Sequence, residues 1–135
     1  MIDLAKVAGF SEATYIGLHA MVLIAQKNGE RISIRDMAET ICVSEAHLAK
    51  VILRLAHTGL INTTRGPGGG AVLAKKPKEI SFLDIVEAIE GPLENLNCVF
   101  GKTGCSHSGC IFGDFIVRMT KEAKEWLRSK TLDEF

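Results

Sequence analysis

Three of the four cysteines in this 135-residue chain fall within one short stretch, Cys98-Val-Phe-Gly-Lys-Thr-Gly-Cys105-Ser-His-Ser-Gly-Cys110. Thiolates are the ligands of iron–sulfur clusters and of structural zinc, and two of them can also close a disulfide under oxidation. The C-x6-C-x4-C spacing leaves all three chemistries open, while it lacks the C-x-x-C of a dithiol redox enzyme. Gly101, Gly104 and Gly109 allow the backbone to fold closely around a centre. The stretch carries no helical or strand period, so a loop is expected. A fourth donor could come from His107 within it, from Asp114 just beyond it, or from a small thiol or water.

The elements that must hold this loop are legible from caps and apolar periods. Ser11 caps a first helix with Ala13, Ile16, Ala20, Leu23 and Ile24 on its inner face, and Asn28-Gly29 ends it. Tyr15 and His19 read as packing or boundary residues, and residues 1–10 as a short helix or an arm. Ser33-Ile-Arg-Asp36 reads as a capping box opening a helix with Ile34, Met37, Ala38 and Ile41 inward. Cys42, between Ile41 and Val43, reads as a small buried hydrophobe. Ser44 caps a third helix that runs to Thr58-Gly59 on a stripe of Leu48, Val51, Ile52 and Leu55.

Two helices joined by a tight turn form a helix-turn-helix, whose second helix presents its N-terminal residues to base edges in the major groove. That places Ser44, Ala46, His47 and Lys50 in reach, with Arg35 on the preceding helix. Leu60–Arg65 and Ala71–Ala74 read as two strands around Gly66-Pro67-Gly68-Gly69-Gly70, a hairpin or wing with Arg65 at its base. The glycine run is not a phosphate-binding loop, because no Gly-Lys-Ser/Thr follows and no helix begins there. A second capping box, Ser81-Phe-Leu-Asp84, opens a short helix with Phe82, Ile85, Val86 and Ile89 inward and Ile80 as its hydrophobic staple; Glu90-Gly91-Pro92 ends it. After the cysteines, Ile111, Phe112, Phe115, Ile116, Met119, Ala123, Trp126 and Leu127 recur at helical spacing, a broad apolar face suited to pairing with a second copy.

Charge supports a polyanion partner. The chain carries 16 basic and 16 acidic side chains. Between Ala46 and Lys78, however, there is no acid, and Lys50, Arg54, Arg65, Lys75, Lys76 and Lys78 give a local excess of six positive charges. A basic face on an otherwise acidic protein is the electrostatic footprint of nucleic-acid binding. No apolar run approaches the roughly 20 residues that span a bilayer, and the first residues lack a signal peptide's pattern, so a cytoplasmic location is expected. No Ser-His-Asp set, paired carboxylates or phosphate loop is visible, and an enzyme is not expected.

The order of these elements, the wing motif Thr64-Arg65-Gly66-Pro67-Gly68-Gly69-Gly70, the segment Asp84-Ile-Val-Glu-Ala-Ile-Glu90-Gly91-Pro92 and the ending Lys130-Thr131-Leu132-Asp133 resemble the bacterial winged-helix regulators typified by the iron–sulfur cluster regulator IscR and the nitric-oxide-sensing repressor NsrR. The resemblance runs from about Phe10 to the C-terminus. It implies a homodimer on palindromic promoter DNA and an iron–sulfur cluster on Cys98, Cys105 and Cys110, with zinc or a thiol switch as the alternative. It implies DNA contacts from the second helix of the motif and from the wing, Arg65, Gly66, Pro67, Gly68 and Gly69. The chain departs from the family at the fourth ligand. Gly113 stands where many members carry a His, and Thr14 where the nitric-oxide sensors carry an Asp, which leaves Glu12, two residues earlier, as the candidate from the other subunit. The expected architecture is mainly α with a small β-hairpin. Residues 1–92 form a winged helix-turn-helix DNA-binding domain, 93–110 the cluster-binding loop, and 111–135 a long C-terminal dimerisation helix and tail.

Overall fold

The structure, a computed structural model, describes residues 9–93 and 109–135. Its elements are α1 (Glu12–Gln26), α2 (Ile34–Ile41), α3 (Glu45–His57), β1 (Ile61–Thr64), β2 (Gly70–Leu73), α4 (Phe82–Glu90) and α5 (Phe115–Ser129), with single 3-10 turns at Pro77–Glu79 and Leu132–Glu134. The fold is the expected one, mainly helical with a two-stranded antiparallel hairpin. Cys98, Cys105 and His107 lie outside the described residues.

The first four helices start at the serines that the sequence marks. The side chains of Ser11, Ser33, Ser44 and Ser81 accept from the backbone N–H groups of Thr14, Asp36, His47 and Asp84, satisfying donors that a helix start leaves free. Only the second box closes in both directions. Ser81 N–H donates to Asp84 Oδ2 at 2.9 Å, whereas Ser33 and Asp36 make one bond, from Asp36 N–H to Ser33 Oγ at 3.0 Å.

Met21, Ile24, Met37, Leu48, Ile52, Leu55, Ile61, Ile80 and Ile85 are fully buried together, so α1, α3, α4 and the hairpin share one core. A smaller apolar cluster of Leu83, Val86 and Leu127 fixes α5 against α4. The chain end then returns to the head: Phe82 N–H donates to Lys130 O, Leu132 N–H donates to Ile80 O, and Leu132 enters the main core.

Two side-chain placements differ from expectation. Cys42 is exposed rather than buried: it is the C-cap of α2, with left-handed backbone (φ 62°, ψ 47°), which turns its side chain away from the stripe formed by Met37 and Ala38. On α4 it is Leu83 that is buried, while Phe82 is half-buried and stacks on Phe135, with ring centroids 5.4 Å apart. At the start of the last helix, Ile111 and Phe112 stand in turns ahead of α5, and both are exposed.

Candidate nucleic-acid interface and cysteine site

The α2–α3 pair presents one face of α3 to solvent. Leu48, Val51, Ile52 and Leu55 take the helix into the core, which leaves Ala46, Lys50 and Leu53 outward at i, i+4 and i+7, beside a partly buried Ala49. His47 is half-buried, and Ser44 Oγ, although exposed, is engaged as the cap. Arg35 lies on the exposed surface of α2, its Nε 3.2 Å from Glu39 Oε1. That carboxylate holds the guanidinium above its ordinary value, first through the hydrogen bond and then through charge. Both partners are open to water, so the pair adds little to stability and separates readily toward another anion.

The hairpin is fixed beside α3 by backbone contacts. Ile61 pairs with Leu73 and Thr64 with Gly70, and Ile32 adds a bridge to Ala71 through Ala71 N–H to Ile32 O at 2.9 Å. A Cβ at Gly70 would fall 2.3 Å from Ile32 O, and one at Gly69 2.3 Å from Thr64 O, so side chains at these positions would push the wing off its seat. The tip, with Arg65, Gly66, Pro67 and Gly68, is exposed. Between wing and helix runs a cleft of about 490 Å³ whose walls include Ala49, Leu53, Thr63, Thr64 and Arg65. The structure therefore brings together α3 and the wing, as the sequence suggests, and adds Leu53, Thr63 and Thr64. Leu53, 64% exposed, could have been found from its spacing one turn after Lys50.

Of the expected ligands, Cys110 is described. It is a free, exposed thiol directly ahead of the turn into α5. Asp114, four residues on, pairs with Arg118 at 3.1 Å, with both side chains exposed. Glu12 is exposed in the first turn of α1. Among the described residues no three His, Cys, Asp or Glu side chains converge on a possible metal position. The exposed, free thiol of Cys110 is a donor of the kind that a metal centre completed by further cysteines would use.

Thr14 has a different role. It is wholly buried, and its hydroxyl donates to Glu90 Oε1 at 2.5 Å. The same oxygen accepts from Ser11 N–H at 2.8 Å and Ser11 Oγ at 2.6 Å. Burial works against the charge on Glu90, but the bonds from Ser11 and Thr14, together with nearby Arg54, outweigh it and hold the carboxyl below its usual value. The sequence reading missed this clasp because its partners are 76 and 79 residues apart.

Comparison with known proteins agrees with this architecture. The sequence pattern of the family Rrf2, described as an iron-dependent transcriptional regulator, matches residues 10–135. The transcriptional regulator CymR of Bacillus subtilis is 30% identical over 119 residues, 87% of this chain and 82% of the relative. IscR of Cereibacter sphaeroides is 32% identical over 117 residues, covering 82% of this chain and 72% of the relative. The chain spans about half the length of two further relatives, 51% of BadM of Rhodopseudomonas palustris and 52% of NsrR of B. subtilis. The B. subtilis CymR structure, described as the global cysteine regulator, superposes with a TM-score of 0.75 at 28% identity over 93% of both chains. T. potens IscR superposes at 0.72 with 26% identity, covering 92% of this chain and 82% of that one. These named relatives are regulators, not enzymes.

Proposed function

The chain belongs to the Rrf2 family of transcriptional regulators, and from that premise we propose that it binds operator DNA as a homodimer, with an affinity set by an iron–sulfur cluster on Cys98, Cys105 and Cys110. The observation that carries the DNA reading is the outward face of α3, Ala46, Lys50 and Leu53, flanked by an exposed Arg65 wing within a stretch that has no acid. In this reading α3 enters the major groove. Ser44, Ala46, His47 and Lys50 face base edges, and Arg35 leaves Glu39 for a phosphate. Arg65 and the tip Gly66, Pro67, Gly68 and Gly69 follow the backbone or the minor groove, whose negative potential favours arginine.

A second copy is supported by α5. Phe115, Met119 and Trp126 form an outward stripe and are 46%, 45% and 54% exposed, more apolar surface than the monomer covers. A two-fold pair of such heads suits a palindromic operator. Bound to the three thiolates, an iron–sulfur cluster would supply a centre that responds to redox state, nitric oxide or cluster supply. Asp114, Glu12 and His107 are the side-chain candidates for its fourth position. Cluster gain or loss shifts operator affinity only if the two states differ in how they hold the reading head.

A second reading, a thiol switch or zinc site without a cluster, has its own support. Cys42 is a free exposed thiol at the turn between α2 and α3, and CymR of Staphylococcus aureus, 27% identical, has been solved in an oxidized form. Binding to promoter fragments, followed by fluorescence anisotropy across a salt series, tests the DNA reading. Affinity is expected to fall steeply with salt, and a flat response would point to a module for a partner other than DNA.

A further inference from the structure

The C-terminal end of α4 is where the head is tied together. Glu90 holds Ser11 and Thr14 of α1 through three hydrogen bonds to one carboxylate oxygen. One residue earlier, the Ile89 carbonyl accepts from Arg54 Nη1 at 3.4 Å, and Arg54 lies in the last turn of α3. Gly17 of α1 is packed so closely on this end that a Cβ there would lie 2.2 Å from Ile89 Cδ1. Just beyond, Leu93 N–H is held by Glu87 Oε2 at 3.0 Å. The start of α1, the end of the DNA-facing helix and the point where the chain leaves α4 thus share one small polar junction. In sequence, that exit is five residues from Cys98.

We propose that Glu90 is the positioning residue of this regulator: by holding Ser11 and Thr14 it makes the placement of the start of α1 depend on how the chain leaves α4 toward the cysteines, beside the Ile89–Arg54 bond that ties the end of α3 to the same point. The inference rests on the reading of the cysteine segment as the regulator's input. Thr14 then acts as the buried donor that fixes Glu90, and its hydroxyl is taken up within the subunit. The geometry suits transmission because the three contacts converge on adjacent residues. A shift of the α4 exit cannot be absorbed at Glu90 without moving the start of α1, or at Ile89 without moving the end of α3. A carboxylate accepting three bonds is also a stiffer connection than the surrounding apolar contacts, because charge-assisted bonds are short and directional.

The test uses full-length Cys42→Ser protein, whose remaining thiols are Cys98, Cys105 and Cys110, and asks what modifying them does to distant amides. N-ethylmaleimide is added, and hydrogen exchange is read in the first turn of α1 and the last turn of α3. Alkylation is expected to change exchange at both places by about threefold or more, within the range of local opening equilibria. In Cys42→Ser/Glu90→Ala, exchange in the first turn of α1 is expected to start faster and to show no further response, while the last turn of α3, tied through the Ile89 carbonyl, keeps its response. A residue with only a structural role would raise the baseline and leave the response intact. Should Glu90→Ala fold poorly, Thr14→Val with Ser11→Ala removes the two hydroxyl donors, leaving the Ser11 N–H, and is expected to cut the response in the first turn of α1 by at least half. No response in the parent, or an equal response in the first turn of α1 with and without the clasp, overturns the proposal. Anisotropy on the same samples keeps the two readings apart. Loss of DNA binding in the unmodified parent removes the proposed function and leaves the exchange result standing, whereas intact DNA binding with a flat exchange response removes this inference alone.

Discussion

Replacing Thr14 with Val keeps the shape of a fully buried side chain and deletes the hydrogen bond its hydroxyl donates to Glu90, together with a longer one, 3.4 Å, shared with Ser11 Oγ. A hydrogen bond to a charged group contributes about 1.5–3 kcal/mol to stability. Glu90 is exposed to water, so screening reduces this to about 1–2 kcal/mol. In a chain of this size that corresponds to a fall in Tm of about 3–8 °C. The pH dependence is a sharper test than the magnitude. The hydrogen bonds and Arg54 outweigh burial and hold the Glu90 carboxyl below its ordinary value of 4.5. Stability from a carboxyl depressed in this way is fully present above the unfolded-state value and is lost as pH falls through the lower folded-state value. The difference between wild type and Thr14→Val is therefore expected to be largest near neutrality and to shrink in acid. Urea unfolding followed by circular dichroism at both pH values measures it. A difference below about 0.3 kcal/mol near neutrality, where a typical surface substitution would sit, would refute the reasoning. So would a difference that stays constant in acid.

Three further outcomes are expected. Arg65→Ala should weaken operator binding by about 1–3 kcal/mol, roughly 5- to 150-fold, if it reads a base edge, or lower the salt slope by about one if it meets a phosphate; unchanged affinity and slope in an anisotropy titration would take the wing out of the interface. Met119→Glu places a charge in the middle of the outward stripe of α5 and should shift the protein toward monomer in sedimentation velocity without loss of helicity, whereas an unaltered dimer would move the interface elsewhere. Ser81→Ala removes the acceptor for Asp84 N–H and should cost about 1 kcal/mol in urea unfolding, with the outward face of α3 unaffected.

The parts of this fold that were legible in the sequence are those governed by local rules. Four serines mark four helix starts because a cap needs only a side chain and the next turn's backbone. The wing is legible because a glycine-rich turn between β-branched runs has few alternatives, and the structure adds why Gly69 and Gly70 are small: backbone carbonyls occupy the space of a Cβ. The misreadings are also physical. Cys42 sits between Ile41 and Val43, and its neighbours suggest burial, but the left-handed backbone that stops α2 turns it outward. On α4 Phe82 does pack against the core, partly buried and stacked on Phe135 from the chain end, and what was missed is Leu83, buried beside it against Leu127. The Ser11–Thr14–Glu90 clasp leaves no local pattern, since its halves meet only after the core has brought α1 against α4. For the cysteine site the sequence supplies the donors, and Cys110 adds an exposed, unpaired thiol ahead of α5.

The central claim, that this regulator carries an iron–sulfur cluster on its three clustered cysteines, is tested most directly by iron, sulfide and zinc analysis of anaerobically purified protein beside the Cys98→Ser/Cys105→Ser/Cys110→Ser variant. A coloured protein with visible charge-transfer absorbance and matching iron and acid-labile sulfide is expected, with the colour, iron and sulfide lost in the variant. A colourless protein that holds zinc, or no metal at all, would contradict it.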